Sequence, residues 1–177
     1  KKFIVGMKNK IYSVEGRDSM RAPFQVLVIP YKIINNEILY GIFLRKDMKV
    51  WQAISGGGED NETPIEAAKR EAYEEAGIDY NANYIKLDCT CTIPVEFVTG
   101  KFTWGKDIYV LNEYTFGVDV TNKSIVLSNE HKNMKWLTYN EAKETLKWDS
   151  NISALWELNK RLLRKLGNDY WEFILEI

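Results

Sequence analysis

The stretch from Gly56 to Ile78 constrains the chain more than any other, because both ends of a helix are written into it. Thr63 has the side chain of an N-cap, Pro64 fills the first helical position, and Glu66 completes a capping box three residues after the threonine. Gly77 supplies the left-handed residue that ends the helix, and Ile78 can fold back as its hydrophobic partner. Between these marks Ile65, Ala68, Ala72 and Ala76 recur at helical spacing. They predict a narrow buried stripe whose small side chains let the helix lie close to its support. Ahead of it, the apolar run Trp51-Gln52-Ala53-Ile54 meets Ser55-Gly56-Gly57-Gly58, where a strand is expected to give way to a loop.

The flanking segments read mostly as β-structure. Ile11-Tyr12-Ser13-Val14 predicts a short strand, and Phe24–Tyr31 and Glu37–Leu44 predict two more, joined by the hairpin signal Asn35-Asn36. Tyr84–Val98 and Phe102–Val118 predict long strands turning at Thr99-Gly100-Lys101, and Met134–Leu137 predicts another. Tyr139–Leu146 and Asn151–Leu166 predict helices, the second with Ile152, Leu155, Leu158 and Leu162 on its apolar face. The apolar tail Tyr170–Ile177 is expected to pack on the domain or on a second subunit. The mixture makes this an α/β chain. No repeat, low-complexity segment or linker divides its 177 residues, so a single domain spanning 1–177 is expected.

Charge narrows the partners. Twenty-four Lys and Arg against 25 Asp and Glu leave no global field to attract nucleic acid or a membrane surface. Carboxylates gathered at one site therefore need a local cation. No apolar run approaches the roughly 20 residues of a membrane span. Cys89 and Cys91, one residue apart, form neither a CxxC redox motif nor a zinc set and read as packed thiols. A cytoplasmic location is expected, and the chain is read as a monomer or homodimer.

Glu71, Glu74 and Glu75 span an arc of roughly 100° on the helix, which forces three carboxylates onto one face within about one turn. Unneutralised, such neighbours destabilise a helix by a few tenths of a kcal/mol each, on the order of 0.2–0.5. Hard divalent cations take oxygen ligands, and magnesium commonly combines one or two carboxylates with substrate phosphate oxygens. The glycines let backbone approach a metal or phosphate closely, and the helix N-terminus adds partial positive charge. Arg70, always charged, suits a bidentate pair with a carboxylate, and Glu62 at the helix start is its natural partner.

Read as Gly56-x5-Glu62-x7-Arg70-Glu71-Ala72-x-Glu74-Glu75-x-Gly77-Ile78, this stretch resembles the signature of the Nudix hydrolases at all seven of its fixed charged and glycine positions. Asn61 and Ala72 depart from the usual residues and touch no metal ligand. The resemblance implies an α/β/α sandwich, with a mixed sheet between helices, and hydrolysis of a phosphoanhydride bond with magnesium, manganese being a substitute. It implies Glu71, Glu74 and Glu75 as metal ligands, with Gly56 beside the metal, and Arg70 and Glu62 orienting them. Which glutamate takes the proton of the attacking water stays open.

A looser likeness, over about Arg21 to Leu166, is to the dihydroneopterin triphosphate pyrophosphatase branch, carried by Phe43-Leu44-Arg45, Trp51–Gly57, Leu87-Asp88-Cys89, Asn129-Glu130-His131 and Lys147–Asn151. It implies Glu130 as a further metal ligand. Arg45, Arg21 and Ser55 are then candidates to contact phosphate, and Trp51 and Trp148 to stack on a flat ring. His131, the sole histidine, reads as structural or as a proton carrier. The expected reaction is cleavage of a nucleoside or pterin triphosphate. The alternatives are the same chemistry on ADP-ribose, a sugar nucleotide or a dinucleoside polyphosphate, and a non-catalytic nucleotide sensor.

Overall fold

The computed structural model describes residues 19–98, 102, 104 and 106–167. The strand expected at Ile11-Tyr12-Ser13-Val14, the turn at Thr99-Gly100-Lys101 and the apolar tail lie outside these. Within them the order is β1 (Arg21–Ile34), β2 (Glu37–Arg45), β3 (Trp51–Gln52), β4 (Ile54–Glu59), α1 (Pro64–Ala76), β5 (Asn83–Pro94), β6 (Val110–Asp119), β7 (His131–Leu137), α2 (Tyr139–Thr145) and α3 (Asp149–Lys165).

The seven strands form one mixed sheet in the order β3-β2-β1-β6-β5, with β4 added to β1 and β7 to β2. The long β1 organises it. Its first half pairs antiparallel with β4, its second half with β2, and its other edge runs parallel to β6. The β1–β2 hairpin closes on Asn35 and Asn36, both at positive φ (50° and 65°), as a primed turn requires.

Successive strand residues point to opposite faces, and β1 feeds two cores in this way. Leu27, Ile29 and Tyr31 join Tyr40, Ile42 and the inner sides of α2 and α3, including Ala142, Leu155, Leu158 and Leu162. Val26 and Val28 join Phe43, Ile54, Phe116 and the alanine face of α1. The result is the sandwich of helix, mixed sheet and helix. No helix among the described residues is long and apolar enough to cross a membrane.

Helix α1 carries the predicted punctuation. The Glu66 carboxylate accepts from the Thr63 N–H (2.9 Å) and hydroxyl (2.8 Å), a cap of the kind that contributes about 1 kcal/mol. Gly77 adopts φ 64° and donates to the Tyr73 carbonyl at 2.9 Å, with Ile78 buried behind it.

Four expectations are corrected. Ile65 is exposed; the stripe is Ala67, Ala68, Ala72 and Ala76, the position beside Ala68 being filled by another alanine. The glycine run stays in strand β4, because its backbone pairs with β1 (Gly56 opposite Val26, Gly57 opposite Gln25). The chain leaves the strand only beyond Glu59, at Asp60, whose φ is 47°. The strand after Tyr84 ends at Pro94, which has no N–H to continue the ladder, and a 3-10 turn follows at Val95–Phe97. Among the described residues the next strand begins at Val110 rather than Phe102.

Candidate active site

Arg70 is the hub of the acidic face. Its Nε and Nη2 donate to the two oxygens of Glu62 at 2.8 and 3.0 Å, and Nη2 also donates to the Gly57 carbonyl at 2.6 Å. Nη1 donates to Glu71 at 2.8 Å and to Glu74 at 3.1 Å. One guanidinium therefore ties the loop after β4, strand β4 and two helix carboxylates into one unit. Glu59 lies 4.0 Å away as a further acid, so negative charge exceeds positive around this arginine.

The three helix glutamates differ in environment. Glu74 is largely exposed. Glu71 lies against Gly56, where a Cβ would fall 1.9 Å from its carboxyl carbon, so only glycine leaves room for it. Burial pushes Glu71 up to about 7, against the opposing pull of Arg70. Glu75 is 3% exposed, and its Oε2 is 2.7 Å from His131 Nε2; with the carboxylate ionised, the nitrogen is the donor. Burial raises Glu75, and the hydrogen bond from His131 resists the rise. The His131 ring also packs on Phe43, and its Nδ1 has no partner among the described residues.

The structure thus brings Glu71 and Glu74 together on one arginine nitrogen and folds Glu75 beneath them. Glu71 feels the charges of both Glu75 and Glu74, and Glu75 feels those of Glu130 and Arg45. Glu130 is exposed, with Oε2 3.5 Å from Arg45 Nη1. Arg45 is held by Asp47 through two bonds (3.0 and 2.8 Å), which raise its pKa further. Among the described residues, no three His, Cys, Asp or Glu side chains are gathered into a ready-made metal cage. Arg70 and His131 each hold an oxygen of these glutamates: Arg70 one of Glu71 and one of Glu74, His131 one of Glu75.

Beside this face lies a cavity of about 430 Å³, a size usual for a small-molecule site. Arg21, Arg45, Ser55 and Gly56 are in its wall, so Glu71 borders it through the bare Gly56 backbone. The helix glutamates and Glu130 do not line it themselves. Arg21 lies over Gly57, where a Cβ would fall 1.6 Å from the guanidinium carbon. Arg21 donates to the Gln25 side chain, and Gln25 donates to the Ser55 hydroxyl at 2.9 Å. Burial lowers the Arg21 pKa, with Glu71 opposing.

Trp51 is not at the cavity. Adjacent strand residues face opposite ways, so Gln52 lines the wall while Trp51 packs on the core beneath Lys135. The indole present is Trp148, which donates from Nε1 to Gln52 at 3.1 Å. Two further residues were not singled out from sequence. Asn151 is buried and accepts the Ala53 N–H at 2.8 Å, pinning the start of α3 to the sheet. Glu113 on β6 is 2% exposed in the cavity wall. Its signal was an acid in phase with the inward-facing Leu111 and Thr115.

Comparisons with known proteins bear on this arrangement. The family model described as the NUDIX domain matches residues 37–156. Dihydroneopterin triphosphate diphosphatase of Haemophilus influenzae is 30% identical over 132 residues, covering 73% of this chain and 83% of that protein. A Listeria monocytogenes protein assigned as a Nudix hydrolase superposes with a TM-score of 0.73 at 42% identity, covering 83% of this chain and 97% of that one. The Escherichia coli dihydroneopterin triphosphate pyrophosphohydrolase superposes with a TM-score of 0.63 at 25% identity, covering 79% and 98%.

Proposed function

The chain belongs to the Nudix hydrolase family, enzymes that hydrolyse phosphorus-containing anhydrides, and on that premise we propose that it is a magnesium-dependent pyrophosphohydrolase of a nucleoside or pterin triphosphate. The observation that carries this reading is the acidic face of α1 backing onto a cavity lined by arginines: Glu71 lies against Gly56 of the wall, and Arg21 and Arg45 line the cavity. The named activity of the Haemophilus influenzae and Escherichia coli relatives supports the substrate class.

The donor set fits a hard cation. Glu75 is a buried carboxylate and Glu71 a half-buried one, and desolvation makes both bind protons more readily than an ordinary glutamate, a cost that a bound cation would offset. Glu71, Glu74, Glu75 and Glu130, with Gly56 adjacent, would hold magnesium, or manganese in its place. Bound there, the ion supplies neutralisation of phosphate charge and a lowered pKa for water. Arg21 and Arg45 bind the remaining phosphate oxygens, Arg45 with its fork already oriented by Asp47, and Ser55 offers a hydroxyl at the strand edge. Arg70 and Glu62 keep the loop over α1 and so fix where Glu71 and Glu74 point. Glu74, the most exposed of the three, is open to an incoming water and serves as ligand or proton acceptor. Trp148 forms the apolar wall for the ring of the substrate.

The test is turnover on a panel of nucleoside triphosphates, dihydroneopterin triphosphate, ADP-ribose and dinucleoside polyphosphates with magnesium or manganese, with released pyrophosphate and phosphate identified. Glu74→Gln and Glu75→Gln, which keep side-chain volume, should each lower kcat by roughly a hundredfold or more. Near-normal rates in both variants, or no hydrolysis of any triphosphate, would falsify the proposal.

A further inference from the structure

Glu113 is a buried acid with unfinished bonding. It sits on β6 opposite Gln25 of β1 and Cys91 of β5, in the cavity wall and 2% exposed. Burial raises its pKa, the neighbouring Ser150 side chain opposes the rise, and Oε1 has no hydrogen-bond partner among the described residues. A buried carboxylate left in this state is costly, and the cost is recovered when donors reach the free oxygen. The neighbouring Gln25 does not serve, since its amide is committed to Ser55 and Arg21. Trp148 and Phe97 give the same cavity aromatic surface suited to a planar ring.

We propose that Glu113 reads the substrate's ring by accepting adjacent N–H groups, and so selects a 2-amino-4-oxopyrimidine edge, the edge shared by guanine and pterins. The inference rests on the reading that this cavity takes a triphosphate bearing a heterocycle. A 2-amino-4-oxo ring presents a ring N–H beside an exocyclic amine, two donors to one carboxylate. Adenine and cytosine set a ring acceptor beside their amine, and uracil flanks its single N–H with carbonyls. Each of those edges points a lone pair at the acid. Hypoxanthine keeps the ring N–H and lacks the amine, which isolates the contribution of the second donor.

Binding and turnover are measured in parallel with magnesium. Calorimetry uses the α,β-methylene analogues of GTP, ITP and ATP. The wild type should bind the guanine analogue about 10- to 100-fold more tightly than the hypoxanthine one, the range for losing a hydrogen bond to a charged acceptor. Glu113→Gln should collapse that ratio to within about threefold, because its amide places a donor where an acceptor is needed. A wild-type ratio near one, or a ratio unchanged in a folded Glu113→Gln variant, overturns the assignment; the wild-type ratio decides even if the variant does not fold. Turnover of GTP against 7,8-dihydroneopterin triphosphate distinguishes guanine from pterin as the source of the edge. Guanine-selective binding without hydrolysis of any triphosphate would sink the enzymatic proposal alone, and hydrolysis without 2-amino selectivity would sink the role of Glu113 alone.

Discussion

Gly56→Ala tests whether the glycine is there to seat Glu71. The added methyl would lie 1.9 Å from the Glu71 carboxyl carbon and 2.1 Å from Oε1. Carbon atoms in ordinary contact are about 3.5 Å apart, so one group must retreat by roughly 1.6 Å. The helix backbone cannot supply this, because Ala68 and Ala72 are fully buried against the sheet, and strand β4 is held in register by β1. The carboxylate has to swing away, which breaks its 2.8 Å bond from Arg70.

Two consequences separate. A misplacement of this size at the reacting centre costs about 100-fold in kcat. Stability changes less: losing a charged hydrogen bond costs about 1.5–3 kcal/mol, but Glu71 escapes an unfavourable burial and alanine reduces unfolded-chain entropy by about 0.4–1 kcal/mol. The net loss should be about 1–2 kcal/mol, or roughly 2–8 °C in Tm for a chain of this size. Steady-state kinetics on the best substrate of the panel, alongside thermal melts, read both. A variant within about threefold of wild-type kcat, or one that melts far lower while a crystal shows Glu71 unmoved, would refute the reasoning.

Two further substitutions probe the frame. Arg70→Lys keeps the charge but loses the fork on Glu62 and the bond to the Gly57 carbonyl, and kcat should fall about 10- to 100-fold with KM less affected; a change under threefold would show that charge alone suffices there. Glu157 on α3 accepts the N–H groups of Asp88 (2.8 Å) and Cys89 (2.6 Å) where the β5–β6 register shifts between Lys86 and Thr90. Burial alone would raise its pKa, but those N–H groups and Arg161 outweigh it and hold the carboxyl below its usual value. A depressed folded pKa gives stability that is present above the unfolded value, about 4.3, and lost as pH falls through the folded one. Glu157→Gln keeps one acceptor oxygen and loses a charge partly screened by solvent, so it should cost about 1 kcal/mol in urea unfolding at pH 7, with the gap from wild type closing below about pH 4. A gap that is absent at pH 7, or constant with pH, would contradict this.

How far the sequence carries can be seen residue by residue. The ends of α1 were legible because Thr63, Glu66 and Gly77 act on their immediate neighbours, and such local preferences survive in any surroundings. The Asn35-Asn36 hairpin was legible for the same reason. The glycine run misled because its meaning is not conformational: all three residues stay in a strand, and two are bare so that Glu71 and Arg21 can lie on them from elsewhere in the chain. Ile65 misled because periodicity marks a face of the helix and cannot tell how far along its length that face stays covered: Ala72 and Ala76 on the same side are buried, and Ile65 in the first turn is not.

By itself, then, the sequence determined the helix, its limits, the acidic face upon it and the order of the elements around it, since these depend on contacts a few residues long. Only the tertiary structure decided that Glu75 would be buried on His131, 56 residues away. It decided too that Trp148 rather than Trp51 would face the cavity, and that Glu113 would stand in its wall with Oε1 lacking a donor. Those outcomes depend on which strands become neighbours and which face each side chain takes. Distant segments settle that jointly, when they bury their apolar sides on the two faces of one sheet.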